Sequence, residues 1–135
     1  MTHYVLVYGT LRKGHSNHRL LHNAEYVDTR ILPLPFVMKH LGGFPGLLPG
    51  LHTDNKITCE LYRVTDTTFQ SLDYLEGYPS FYNRTLIEVG IDDETERYVD
   101  AWIYYLEDEE YYQHYPEIES GDWDDAGSVY SMRTA

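Results

Sequence analysis

Cysteine is nearly absent: Cys59 stands alone among 135 residues. A single thiol forms no intramolecular disulfide, so the fold does not depend on an oxidising compartment. Cys59 sits in ITCELY, where Ile57, Cys59 and Leu61 alternate with polar or aromatic neighbours, and this pattern predicts a small buried apolar residue and not a nucleophile. Basic residues are also few, 10 Lys and Arg against 22 Asp and Glu, for a formal net charge of −12. That field repels a phosphate backbone and an anionic membrane surface, so neither nucleic acid nor membrane is expected as a partner. It favours solubility and attracts cationic or amine-bearing small molecules. No stretch approaches the roughly 18 consecutive apolar residues of a membrane span. The opening MTHYVLVYG carries no basic region followed by a long apolar run, so the cytoplasm is the expected location. Phenylalanine is scarce, at 4 residues.

Tyrosine takes its place, with 14 residues. Its apolar ring and hydroxyl suit half-buried strands and polar pockets. Hydrophobic residues make up 42% of the chain, enough for a core, and the length fits one domain. We expect a single domain over 1–125 and a polar tail over 126–135. Residues 3–8 are an apolar, β-branched run ended by Gly9, which predicts a buried strand. A short helix is expected over 17–24, and strands over 25–32, halted by Pro33 and Pro35, and over 36–41. The segment GGFPGLLPG, 42–50, is dense in Gly and Pro and reads as a shaped loop. A strand over 56–64 follows. Then Thr65 or Asp66 caps the clearest helix, with Phe69, Leu72 and Leu75 on one stripe and Gly77 and Pro79 at its end. Two strands, 82–91 and 97–107, form a hairpin about the acidic turn 92–96. The order predicts an α+β fold: a small, mixed, barrel-like sheet with a few short helices.

Several chemistries fail on their own requirements. Gly9 to Ser16 has the glycine spacing of a phosphate-binding loop, but His15 stands where its lysine belongs. There is no G-x-S-x-G for a serine nucleophile. Asp122, Asp124 and Asp125 do not follow a calcium-loop pattern. His15, His18 and His22 fall at near-helical spacing, yet no neighbouring acid completes a metal site, so no metal or other cofactor is expected. Asp122 and Trp123 either line a pocket or pin the tail, with pinning preferred.

The strand-ending turn is more informative. A glycine directly after a buried strand lets the backbone turn sharply and lets a ligand come close. Successive N–H groups there can form a nest for a carboxylate or oxyanion. The segment YGTLRKGHSNHRLL, 8–21, closely resembles the opening of γ-glutamylcyclotransferase-like proteins, especially their γ-glutamylamine cyclotransferase and AIG2-like branch. FPGLLPG is similar to that family's central loop. LDYLEGYPSFYNR, 72–84, resembles the helix that carries the family's catalytic glutamate and the aromatic–Arg strand after it. IESGDW, 118–123, is similar to a C-terminal signature of short bacterial members. Together these segments span nearly the whole chain.

The resemblance implies a small-molecule substrate with a γ-glutamyl group, held by main-chain groups of Tyr8, Gly9, Thr10 and Leu11, with Tyr82 and Arg84 as the aromatic–Arg pair. It implies Glu76 as the general acid/base. Some relatives with the GDW tail lack an acid there; this chain keeps one. The implied reaction is an intramolecular aminolysis that yields 5-oxoproline and an amine, and it needs no cofactor. A poised carboxyl group suits it. A helix C-terminus, Asp73 one turn earlier and burial against Tyr78 or Tyr82 are each expected to raise the pKa of Glu76. Two other readings stay open on residues alone. One is a non-catalytic module that binds a small molecule in the same pocket. The other is an interaction protein that uses its acidic, Tyr-rich C-terminal half.

Overall fold

The computed structural model describes residues 1–50, 55–92 and 94–126. Five strands form one curled, half-barrel sheet: β1 (Thr2–Val7), β2 (Glu25–Leu34), β5 (Asn55–Thr65), β6 (Asn83–Asp92) and β7 (Arg97–Tyr105). Their order is β2-β5-β1-β7-β6, with β1 and β7 parallel and the other neighbours antiparallel. Strands β3 (Phe36–His40) and β4 (Pro45–Pro49) pair as a separate ribbon. Helix α1 (Asp66–Glu76) follows β5, and a one-turn helix α2 (Glu109–Tyr112) follows β7. This is the mixed α+β, barrel-like architecture expected from the sequence.

Strand β1 is central and buried on both faces. Leu6 joins Met38, Leu47, Ile57, Cys59, Ile103 and Ile118 in one apolar cluster. Its neighbours Val5 and Val7 point the other way and join Val64, Phe69 and Leu72 in a second. The period-2 alternation of a strand therefore feeds two cores. Helix α1 starts where Thr65 Oγ1 accepts from the Thr68 N–H at 3.2 Å, and stops where Gly77 turns left-handed at φ 65°. Phe69 and Leu72 are its buried stripe; Leu75, expected with them, is 39% exposed.

Four expectations are corrected. Pro33 does not halt β2, which runs on to Leu34 with Pro33 opposite Lys56. β2 is an edge strand, where a residue without an N–H is tolerated. The 42–50 segment is not all loop: Pro45 to Pro49 is β4, whose prolines stand at its two ends. Gly46 inside it is demanded by packing, since a Cβ there would lie 2.4 Å from a Leu106 methyl. The helix over 17–24 shrinks to a 3-10 turn at His18–Leu21, because no side chain caps it. Ala126, expected to open the polar tail, is buried in the core, and 127–135 lie outside the described residues. So does residue 93 of the 92–96 turn.

Candidate active site

A cavity of about 370 Å³ opens where the end of β1, the end of α1 and the start of β4 meet. Tyr8, Gly9, Thr10 and Leu11 form one wall, and Glu76, Tyr82 and Tyr104 face them. Six of the seven site residues expected from the sequence are therefore brought together.

The wall after β1 is a tight turn. The Arg12 N–H donates to the Gly9 carbonyl at 3.0 Å, and the Asn17 N–H to the Thr10 carbonyl at 2.9 Å. Asn17 Nδ2 also donates to Thr10 Oγ1 at 2.9 Å. His18 Nδ1 lies 2.9 Å from the Leu11 carbonyl, an acceptor, so this nitrogen carries the proton. These bonds consume the turn's carbonyls. The N–H groups of Gly9, Thr10 and Leu11 donate to none of the described residues. Gly9 is fixed by space: a Cβ would sit 2.6 Å from Cγ of Pro45.

Glu76 ends α1, so the left-handed Gly77 cap sets where its side chain leaves the helix. Its carboxyl group is half-buried and takes no hydrogen bond or ion pair among the described residues. Burial pushes its pKa up to about 7. Three tyrosines lie within electrostatic reach, and each hydroxyl proton is committed elsewhere. Tyr8 donates to the Tyr104 carbonyl at 2.7 Å, Tyr82 to the Pro45 carbonyl, and Tyr104 to Asp73 Oδ1 at 2.7 Å. Burial first, and the nearby Glu76 charge in addition, raise the pKa of Tyr8, Tyr82 and Tyr104. All three remain neutral donors at neutral pH.

Asp73 does not act on Glu76 as expected. Its two carboxylate oxygens are bound by Arg84 Nε at 3.0 Å and Nη2 at 3.3 Å. Arg84 is the site residue that the structure sets apart. Its guanidinium lies over the rings of Tyr78, Trp102 and Phe69, at 4.1, 4.3 and 4.6 Å, and it does not line the cavity. It clamps the last turns of α1 to β6 and β7.

Sequence reasoning missed Arg12. Buried at 6% exposure, it donates to Glu60 Oε2 at 3.1 Å, Asp122 Oδ1 at 2.8 Å and Asp124 Oδ2 at 3.3 Å. Asp122 thus pins the C-terminal segment and does not line the cavity, and Trp123 is in the core. Their spacing from Arg12 in the chain left no local signal. Ser16, Asn17 and Pro45 also line the cavity; they lie inside the segments that carry the family resemblance.

The three histidines do not share a face. His15 meets Asp124, His18 the Leu11 carbonyl and His22 the Arg19 carbonyl. Among the described residues, no group of three or more His, Cys, Asp or Glu is placed to hold a metal ion. Burial pushes the Cys59 thiol up to about 12, which leaves it inert.

Residues 5–125 match the family model described as "Gamma-glutamyl cyclotransferase, AIG2-like". Over 123 residues the chain is 35% identical to a Vibrio cholerae protein named "Putative gamma-glutamylcyclotransferase", covering 91% of this chain and 96% of that one. It is 30% identical over 94 residues to human gamma-glutamylaminecyclotransferase, covering 64% and 61%. The crystal structure of a mouse AIG2-like protein superposes with a TM-score of 0.70 at 28% identity, covering 90% of this chain and 88% of that one. An uncharacterized Pyrococcus horikoshii protein shares the fold, with a TM-score of 0.69 at 22% identity over 98% of this chain and 99% of that one. The chain belongs to the gamma-glutamyl cyclotransferase, AIG2-like family and is a γ-glutamylcyclotransferase-like enzyme.

Proposed function

We propose that the protein releases 5-oxoproline from a γ-glutamyl amine or related γ-glutamyl compound, with Glu76 as general acid/base. One observation carries this reading: one cavity is lined both by a carboxyl group raised to about 7 that is unpaired among the described residues, and by a turn whose three N–H groups donate to none of them.

The γ-glutamyl unit has an α-carboxylate that needs donors and an α-ammonium that needs a base. The N–H groups of Gly9, Thr10 and Leu11 receive the carboxylate as a backbone nest. The Glu76 carboxylate takes a proton from the α-ammonium. The freed amine attacks the γ-carbonyl carbon of the same molecule, forming the lactam C–N bond and placing the electron pair on oxygen. Collapse breaks the original amide C–N bond, and protonated Glu76 delivers its proton to the departing nitrogen. Two protons leave the α-nitrogen and two arrive on the leaving nitrogen, so one shuttling carboxyl group balances the reaction. A carboxyl poised near 7 can both accept and donate near neutral pH. Because both reacting atoms belong to one molecule, holding it folded supplies much of the rate. Tyr8 and Tyr82 shape the wall and exclude water. Arg84 acts on the helix that carries Glu76 and not on the substrate.

The test is a panel of γ-glutamyl amines and γ-glutamyl amino acids assayed for 5-oxoproline by mass spectrometry. Glu76→Gln should lower turnover by about 10²- to 10⁴-fold, the range of general acid/base catalysis. Equal product from wild type and Glu76→Gln removes the role of Glu76. No product from any substrate leaves a pocket that only binds.

A further inference from the structure

Of the tyrosines around Glu76, one is held by a side chain and not by the main chain. Among the described residues that line the cavity, the titratable side chains are Glu76 at the end of α1, Tyr8 after β1, Tyr82 before β6 and Tyr104 on β7. No other element of the wall adds one. Tyr8 and Tyr82 donate to the carbonyls of Tyr104 and Pro45, whose places the backbone sets. Tyr104 donates to the Asp73 carboxylate at 2.7 Å. It is 3% exposed, so its hydroxyl needs an acceptor inside the protein. Asp73 is fixed from behind. Arg84 Nε shares Oδ1 with the Tyr104 hydroxyl, Arg84 Nη2 donates to Oδ2, and the guanidinium lies against three aromatic rings. Asp73 and Glu76 are three residues apart on α1 and so are neighbours on one face of the helix.

We infer that Asp73 is a positioning residue: it holds the Tyr104 hydroxyl away from Glu76 and so leaves the Glu76 carboxyl free to exchange its proton with the substrate. This rests on the proposed function and assigns the group that keeps its acid/base unpartnered. Without Asp73 a buried hydroxyl loses its acceptor, and Glu76 is the only carboxyl group in the same cavity wall. A hydroxyl bonds a carboxylate more strongly than it bonds a neutral oxygen. Such a bond favours the charged form of Glu76 and occupies the lone pairs that must take the substrate's proton.

The experiment reads Glu76 directly. Protein labelled with carbon-13 at the glutamate carboxyl gives a Glu76 signal, assigned by its loss in Glu76→Gln, whose titration midpoint is followed by NMR. Asp73→Ala should lower that midpoint by about one pH unit. Asp73→Ala/Tyr104→Phe should restore it, a reversal that a merely structural role of Asp73 does not produce. Asp73→Asn keeps an oxygen for the Tyr104 hydroxyl and should leave the midpoint close to that of wild type. The acid limb of kcat/KM for 5-oxoproline release should follow the midpoint in each variant. The inference is overturned if Asp73→Ala leaves the midpoint in place, if the fall persists without the Tyr104 hydroxyl, or if Asp73→Asn lowers it as far. If no γ-glutamyl compound turns over, the reaction falls, and the same titrations still uphold or overturn the hold of Asp73 on Tyr104. Should Asp73→Ala not fold, Asp73→Ala/Arg84→Met, which leaves no unpaired buried cation, takes its place with and without Tyr104→Phe.

Discussion

Two glutamates lie close to the turn after β1, and they are treated in opposite ways. Glu60 is 5% exposed and accepts three donors: Arg12 Nε at 3.1 Å, the Lys13 N–H at 3.0 Å and the Tyr62 hydroxyl at 2.8 Å. Glu76 is half-buried and accepts none among the described residues, while every tyrosine hydroxyl near it donates elsewhere. A carboxylate fully supplied with donors is a structural fastener. One denied them is left able to gain and lose a proton. The same side-chain type thus gives an anchor on one side of the turn and, on the other, a carboxyl group whose pKa burial raises to about 7.

The largest expected effects separate the two. Glu76→Gln should cost about 10²- to 10⁴-fold in turnover, yet leave thermal unfolding at pH 7 nearly where it was or slightly higher. Arg12→Met should do the reverse to stability. It leaves Glu60 buried with its charge uncompensated, and removing one partner of a buried pair costs roughly 3–5 kcal/mol, read by chemical denaturation. If Arg12→Met unfolds no more readily than wild type, the anchor half of the comparison fails.

Gly9→Ala should have a smaller effect. The new Cβ meets Cγ and Cδ of Pro45 at 2.6 and 2.7 Å, and a closed ring has little room to yield. Overpacking of this kind costs roughly 1–3 kcal/mol. It should also displace the turn's N–H groups, so KM for a γ-glutamyl substrate should rise more than kcat falls. The smallest effect is a pH dependence of stability. Glu76 titrates at about 7 in the folded chain, above the ordinary carboxylate range. Between those limits the folded state holds the proton that the unfolded state has lost, so stability falls as pH rises through the window. At pH 8 Glu76→Gln should therefore be more stable than wild type by on the order of 1 kcal/mol, after allowance for solvent screening. The gain should vanish below about pH 5, where both side chains are neutral. Melting curves at the two pH values check the sign.

Much of this was legible in the sequence because its signals are local. The run that ends at Gly9 announced a buried strand and its turn, and Thr65 with Gly77 marked both ends of α1. Glu76 followed from the position of that helix end together with the family resemblance. What stayed hidden depends on residues far apart in the chain. Arg12 finds Glu60 across two paired strands, and Asp122 across nearly the whole domain. Strand β4 was masked by its own composition: Pro45 and Gly46 read as loop formers until Gly9 and Leu106 are packed against them. Arg84 was placed by resemblance in the pocket. Only the geometry reveals that Asp73 and three aromatic rings hold it outside.

The segment around Gly121 lies across β5, where the Thr58 N–H donates to the Gly121 carbonyl at 2.9 Å. A Cβ at residue 121 would overlap the Lys56 carbonyl, and its φ is 69°. Just beyond it, Asp122 and Asp124 hold Arg12. The order of synthesis gives this contact a temporal meaning. Within the domain, the turn at residues 9–12 is made well before two of the three carboxylates that hold Arg12, those of Asp122 and Asp124. Until nearly the entire domain has been made, Arg12 can meet Glu60 but neither Asp122 nor Asp124, so the fastening of this turn is complete only once residues 122–124 are present.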